Sequence, residues 1–278
     1  MKIIPAKKIR DAVEELCIRA NINLRKDVLK ALKAAYRKEK NNRARKITGA
    51  ILANARVAAE ERLAICQDTG LPIVFVEIGQ DVRITGDLKA AINKGVELGY
   101  KKAYLRNSIV KNPLLRGTSG YAPAVIHIDI ARGNKLKLSV LPKGFGCENK
   151  SQLKMFKPTT PVKEIKEFII GAVKNAGADA CPPYVVGVGI GGSADYAVLM
   201  AKRALLRDIG VGNRQSYVRT MEMDLLKKIN RLNIGPMGLG GKITTLGVNI
   251  EIYPTHIAGM PVAVNISCHA MRSATKVI

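Results

Sequence analysis

The chain has 278 residues, with 46 Lys and Arg against 22 Asp and Glu, a net charge of +24, 47% hydrophobic residues and 4% aromatics. A chain this long buries roughly 75% of its unfolded surface on folding, so it needs no disulfides, and five cysteines with no C-x-x-C pair argue for a reducing compartment. The start carries charge where a secretory signal would have its apolar region, and no run approaches the roughly 20 apolar residues of a membrane span, so a soluble cytoplasmic protein is expected.

Residues 5–63 read as helices, with Val13, Leu16, Cys17 and Ala20 at helical spacing. Residues 65–72 form a turn-rich loop, 73–78 a β-branched strand and 86–103 another helix. Residues 124–130 and 136–141 are two short strands, and Arg132-Gly-Asn-Lys135 between them has the residues of a hairpin turn. A glycine-bearing polar loop covers 142–151, and 162–176 is an amphipathic helix. Residues 184–192 read as a strand running into a glycine loop, followed by helices over 194–207 and 216–230. A third glycine loop spans 235–241, and 246–253 and 262–267 are closing strands. The fold class is α/β, with mixed sheets, flanking helices and a helical N-terminal part. One domain over 1–278 is expected, with room for two subdomains.

The charge is densest over residues 37–46. A basic surface suits nucleic acid, an acidic partner protein or an ion-rich solvated exterior. So few aromatics provide no stacking platform for bases, which places nucleic acid last among the three. Such a field would also steer an anionic small substrate inward.

Gly187-Val-Gly189-Ile-Gly-Gly192 matches G-x-G-x-x-G after a strand and before a helix, and Asp208 follows about 20 residues on. Asp208 ends a helical stretch, with no second strand to carry it to a ribose. The competing reading is that these glycines let a backbone loop pass close to something bulky, such as a cluster.

Cys66, Cys181 and Cys268 each sit in a polar or glycine-rich segment: Cys66-Gln-Asp-Thr-Gly70, Cys181-Pro-Pro-Tyr184 and Cys268-His-Ala270. Three thiolates from distant loops can hold an iron–sulfur cluster and leave one iron without a protein ligand. Structural zinc is the rival, but its cysteines usually come in close pairs. Cys17, among the apolar positions of the first helix, reads as core, as does His127 on its strand.

Ile65-Cys-Gln-Asp-Thr-Gly70, Lys143-Gly-Phe-Gly-Cys-Glu-Asn-Lys-Ser151, Cys181-Pro-Pro-Tyr184 with Gly191-Gly192, and Cys268-His-Ala270 occur in this order. Together they resemble the α subunit, or N-terminal half, of class I fumarate hydratases and the related L(+)-tartrate dehydratases, over nearly the whole chain. The resemblance implies an oxygen-sensitive 4Fe–4S cluster on Cys66, Cys181 and Cys268. It places Gln67, Asp68 and His256 in the substrate pocket, with Asp68 and His256 as catalytic groups. It assigns Arg106 to a substrate carboxylate, and the Gly144 and Gly146 backbone to substrate contact. Phe145 and Cys147 depart from the family's usual G-G-G-S loop, with Cys147 standing where a serine is expected and read as a non-ligand. His269, beside a ligand, is a candidate donor to the site.

The resemblance implies reversible hydration of fumarate to (S)-malate, with tartrate dehydration as the alternative. It also implies a separate β subunit carrying the rest of the catalytic set, and an α dimer or an α2β2 assembly. From a different class, the chain could be a non-catalytic basic nucleic-acid-binding module, which would bind with steep salt dependence and no metal.

Overall fold

The computed structural model describes all 278 residues. In chain order the elements are β1 (Lys2–Pro5), α1 (Ala6–Ile22), α2 (Lys26–Lys38), α3 (Asn42–Glu61), β2 (Leu71–Gly79), β3 (Val82–Thr85), α4 (Leu88–Lys102), β4 (Ile109–Asn112), β5 (Arg116–Gly120), β6 (Val125–Ala131), β7 (Leu136–Lys143), α5 (Phe145–Glu148) and β8 (Gln152–Phe156). They continue with α6 (Val162–Ala176), β9 (Tyr184–Gly192), α7 (Ala194–Ala204), α8 (Ser216–Asn230), a 3-10 turn over Pro236–Gly238, β10 (Thr245–Thr255), β11 (Met260–Ser267) and β12 (Ala274–Val277). This is the mixed α/β architecture expected. No helix is long and apolar enough to cross a membrane.

The chain divides into two compact units. Unit 1 comprises Met1–Arg25, Asn54–Phe145 and Arg272–Ile278; unit 2 comprises Lys26–Ala53 and Gly146–Met271.

Unit 1 is built on a four-stranded sheet of order β12-β7-β2-β6. β2 runs parallel to β6 and antiparallel to β7. In α1, Ile9, Val13, Leu16 and Cys17 recur at three- and four-residue spacing and are fully buried, so the helix buries one stripe. That stripe joins Ile92 and Val96 of α4 and the Val74, Val76 face of β2 in one core. Asp87 caps α4 by accepting the Ala90 N–H at 2.9 Å.

The hairpin expected over residues 132–135 does not form. β2 is inserted between β6 and β7, so consecutive antiparallel strands span a middle one. The connecting turn spends its hydrogen bonds on the end of β2, with Gly79 N donating to Lys135 O and Asp81 N to Gly133 O.

Unit 2 has a four-stranded sheet of order β10-β9-β11-β8, with β9 and β10 parallel. Alternation along β9 sends Val186 and Val188 into a core with Ile169 and Val173 of α6 and Leu225 and Ile229 of α8. The other face, with Gly187 and Gly189, takes α7. The expected glycine loop is therefore strand throughout, because the glycines serve helix packing. A Cβ on Gly187 would stand 2.1 Å from Ala201 O, and one on Gly189 2.1 Å from Ala197 O. The bulky object the glycines admit is the α7 backbone.

Candidate functional site

In unit 1, the loop between α3 and β2 is tied down at every step. Ile65 N donates to Asn21 O, and Asn54 Nδ2 donates to Ile65 O, both at 2.9 Å. Cys66 follows, half-buried, with its Sγ 3.5 Å from Gln67 Oε1. Asp68 Oδ1 accepts the Gly70 N–H at 3.0 Å, an Asx turn, and Oδ2 accepts the Phe145 N–H at 2.8 Å. Gly70 lies at φ +78°, and a Cβ there would stand 2.7 Å from Pro142 C, so only glycine brings this loop against the end of β7. The buried Tyr100 hydroxyl donates to Thr69 O at 2.9 Å.

Thr69 Oγ1 also accepts the Arg106 N–H at 3.1 Å, which brings the Leu105–Arg106 segment to the cysteine loop. Asp68 and Arg106 then line one cavity of about 410 Å³ with Leu71, Ser108, Arg116 and Phe145. An acid, two guanidinium groups and apolar walls in one cleft suit a small anion that must be bound and oriented. Gly144 adjoins it, since a Cβ there would meet Asp68 Oδ2 at 3.2 Å.

Three residues of this site carried no sequence signal of their own. Arg272 is 3% exposed and its Nη2 donates to Asp68 O at 2.6 Å, so a buried cation sits behind the acid. Arg116 lines the cavity from the β4–β5 hairpin. Thr69 carries the bond that places Arg106. The position of Arg272 four residues after Cys268 is the one clue the chain offers.

In unit 2, Cys181 stands at φ +55°, a left-handed conformation uncommon outside glycine. Its turn is held from several sides. His269 N and Nδ1 lie 3.3 and 3.1 Å from Cys181 O, Cys147 Sγ donates to Ala180 O at 3.2 Å, and Met237 N donates to Pro182 O at 2.8 Å. Lys150 pairs with Asp179 at 2.9 Å. The His269 contacts bring the Cys268 segment beside Cys181. Burial first, then the nearby Cys147, Cys181, Asp179 and Cys268, push the Tyr184 hydroxyl well above its ordinary pKa.

Gly146 opens α5 in an exposed position, with Asp179 O 3.8 Å from where its Cβ would be. His256 is exposed in the turn joining β10 and β11, where its Nδ1 accepts the Ala258 N–H at 3.1 Å. Unit 1 thus gathers Cys66, Gln67, Asp68, Arg106 and Gly144. Unit 2 carries Gly146, Cys181, His256 and Cys268.

No disulfide joins the five cysteines. Cys66, Cys181 and Cys268 are half-buried, whereas Cys17 and Cys147 are buried at 0% and 5% exposure. Burial, with Glu14 adding to it, pushes the Cys17 thiol far above its ordinary value, which suits a core residue. No three His, Cys, Asp or Glu side chains stand close enough together to hold a metal ion in the polypeptide alone. The donor chemistry still fits an iron–sulfur group: three accessible soft thiols, each in a hydrogen-bonded turn.

Residues 10–277 match the family described as fumarate hydratase (Fumerase). The chain belongs to this family. Among its relatives in the fumarate hydratase family is a Methanocaldococcus jannaschii protein provisionally named L(+)-tartrate dehydratase subunit alpha, 42% identical over 277 residues and covering 97% of each chain. L(+)-tartrate dehydratase subunit alpha of Escherichia coli strain UTI89 is 29% identical over 272 residues, 96% of this chain and 90% of that one. Its strain K12 counterpart is 28% identical over 275 residues, 98% and 91% of the two chains.

Proposed function

We propose that this chain is the α subunit of a two-subunit iron–sulfur hydro-lyase that hydrates fumarate reversibly to (S)-malate. The observation carrying this reading is the cavity that Asp68 and Arg106 share beside the Cys66 loop, in a chain of the fumarate hydratase family.

Cys66, Cys181 and Cys268 would hold a 4Fe–4S cluster, which when bound supplies a Lewis-acidic iron toward the substrate hydroxyl. Arg106 offers a planar fork to one carboxylate, and Gln67 with the backbone at Gly144 and Gly146 completes the binding surface. Asp68, oriented through both oxygens by backbone N–H groups, keeps further lone pairs for a proton. A fixed acceptor is what removal of a weakly acidic C3 proton requires. His256 is the second proton-transfer group. Phe145, Leu71 and Pro113 wall the cavity.

The names of the relatives as α subunits support a separate β subunit. The same names favour a second reading, dehydration of L(+)-tartrate by the same residues. The deciding experiment reconstitutes the chain anaerobically with its partner subunit and compares fumarate, malate and L(+)-tartrate. Fumarate turnover exceeding that of tartrate supports the first reading, tartrate turnover alone selects the second, and no turnover of any of them removes the hydro-lyase assignment.

A further inference from the structure

Helix α2 and the first half of α3 belong to unit 2 and meet where the charge of the chain is densest. Nine Lys and Arg are exposed over residues 26–46. The two carboxylates of that span are held by backbone groups. Asp27 Oδ2 accepts the Ile209 N–H at 2.8 Å, and Glu39, 4% exposed, accepts the N–H groups of Asn41 and Lys242 at 2.9 and 2.7 Å. None of the nine cations is paired with a carboxylate.

On α2, Lys26, Lys30, Lys33 and Arg37 recur at four-, three- and four-residue spacing. They form one exposed stripe, opposite the buried Val28, Leu32 and Ala35. At 1.5 Å per residue the stripe is about 17 Å long. Arg45 of α3, its guanidinium 4.9 Å from the centre of the Tyr36 ring, stands beside the C-terminal end of α2. Like charges at this spacing repel and weaken a helix. Other helices of the chain pair theirs, as Lys101 does with Glu97, Lys163 with Glu167 and Lys228 with Asp224. An unpaired stripe that weakens its own helix calls for anions from outside the chain.

We infer that this face binds duplex nucleic acid without sequence preference, its cations neutralising backbone phosphates. No large apolar side chain of residues 26–53 is exposed. A protein partner would need an apolar anchor there, and protein interfaces are depleted in lysine. Phosphate binding needs no such anchor, and nucleic-acid interfaces are much more positive. The scarcity of aromatics removes the base stacking that binding of a single strand uses; a duplex, with its bases already stacked, does not call on it. A duplex presents one negative charge per about 1.7 Å of its axis, dense enough to serve the whole stripe. Contacts to phosphates carry no sequence information. The inference does not rest on the hydro-lyase reading.

The test uses the full chain, alone and assembled with its partner subunit. Fluorescent DNA duplexes of about 20 base pairs, in two unrelated sequences, are titrated by anisotropy between about 50 and 200 mM salt. Both should bind alike, with a log–log salt slope of about −3.6, four phosphate contacts at about −0.9 each. Lys30→Gln should flatten the slope by about 1, and Lys30→Gln with Arg37→Gln by about 2. Neither variant should melt below wild type, because repulsion is relieved. Lys157→Gln with Lys174→Gln, which removes the same charge from exposed positions outside the span, should leave the slope unchanged. No duplex binding, an equal loss in that control pair, or a strong preference for one sequence would overturn the inference. Binding of polyglutamate in place of the duplex would also overturn it, giving the face to an acidic protein. So would loss of duplex binding on adding the partner subunit, which would give the face to that subunit.

Discussion

Asp68 is a structural residue to which the proposed function adds a chemical role. Its two oxygens accept from Gly70 N and Phe145 N, and its carbonyl takes the buried Arg272. As an Asx turn alone it would be an ordinary loop staple; the cavity it shares with Arg106 is what supports the proposed chemical role. The two residues predict different kinetic losses. Arg106→Ala should raise KM for the dicarboxylate about 10- to 100-fold, the loss of a charge-assisted pair worth about 1.5–3 kcal/mol. Its Tm should be unchanged, since Thr69 holds only its backbone. Asp68→Asn should lower kcat by about 100-fold or more and also lower Tm, because an amide offers only one acceptor oxygen for two N–H donors. Steady-state kinetics with thermal melts separates the two; a lowered Tm in Arg106→Ala or an unaffected kcat in Asp68→Asn would refute these roles. Cys66, Gln67, Asp68 and Arg106 were legible as residue types in a pattern. Arg272 and Thr69 were not, because their contribution lies in a contact 204 residues away in sequence and in a hydroxyl bond 37 residues away.

Local periodicity located the longer helices and the central strands, but not the short strands β1, β3, β4, β5, β8 and β12 or the short α5. The amphipathic run over 162–176 matched α6, the helix read over 216–230 matched α8, and the β-branched run fell within β2. Strand pairing was a different matter: a four-residue glycine turn between two strands favours a hairpin locally, yet β2 takes the middle place between β6 and β7. The glycines of β9 illustrate the same limit. They resemble a nucleotide loop in sequence, and packing makes them the seat of α7. Gly189→Ala should force apart a backbone contact that would close to 2.1 Å, costing about 1–3 kcal/mol or more, or several degrees of Tm for a chain this size. NADH should leave the melting curve of the wild type unmoved. An undisturbed Gly189→Ala variant would contradict the packing account, and a melting shift with NADH would reopen the dinucleotide reading.

Across the whole molecule, burial of titratable groups sets an alkaline limit. Burial chiefly raises the Cys17 thiol and the Tyr100 and Tyr184 hydroxyls above their ordinary values. Their neutral forms are therefore favoured in the native state. The stability they contribute is complete below the unfolded values, about 8.5 for the thiol and 10 for the phenols, and is lost as pH rises through the native ones. Tm should fall progressively above about pH 9, and less steeply in Tyr100→Phe. A pH-independent Tm up to about pH 11 would contradict this. The net charge of +24 adds self-repulsion that an acidic partner subunit would relieve, and raised salt should stabilise the isolated chain more than the assembled one.

In the proposed function Cys66, Cys181 and Cys268, and not Cys17 or Cys147, hold an iron–sulfur cluster. This is tested most directly by iron and sulfide analysis with absorption spectra, after anaerobic reconstitution of wild type and the five single Cys→Ser variants. Wild type, Cys17→Ser and Cys147→Ser should hold about four irons with matching sulfide and a broad visible absorption band, and the other three variants should lose both. A colourless, iron-free wild type, or a Cys147→Ser variant as empty as Cys181→Ser, would contradict that assignment.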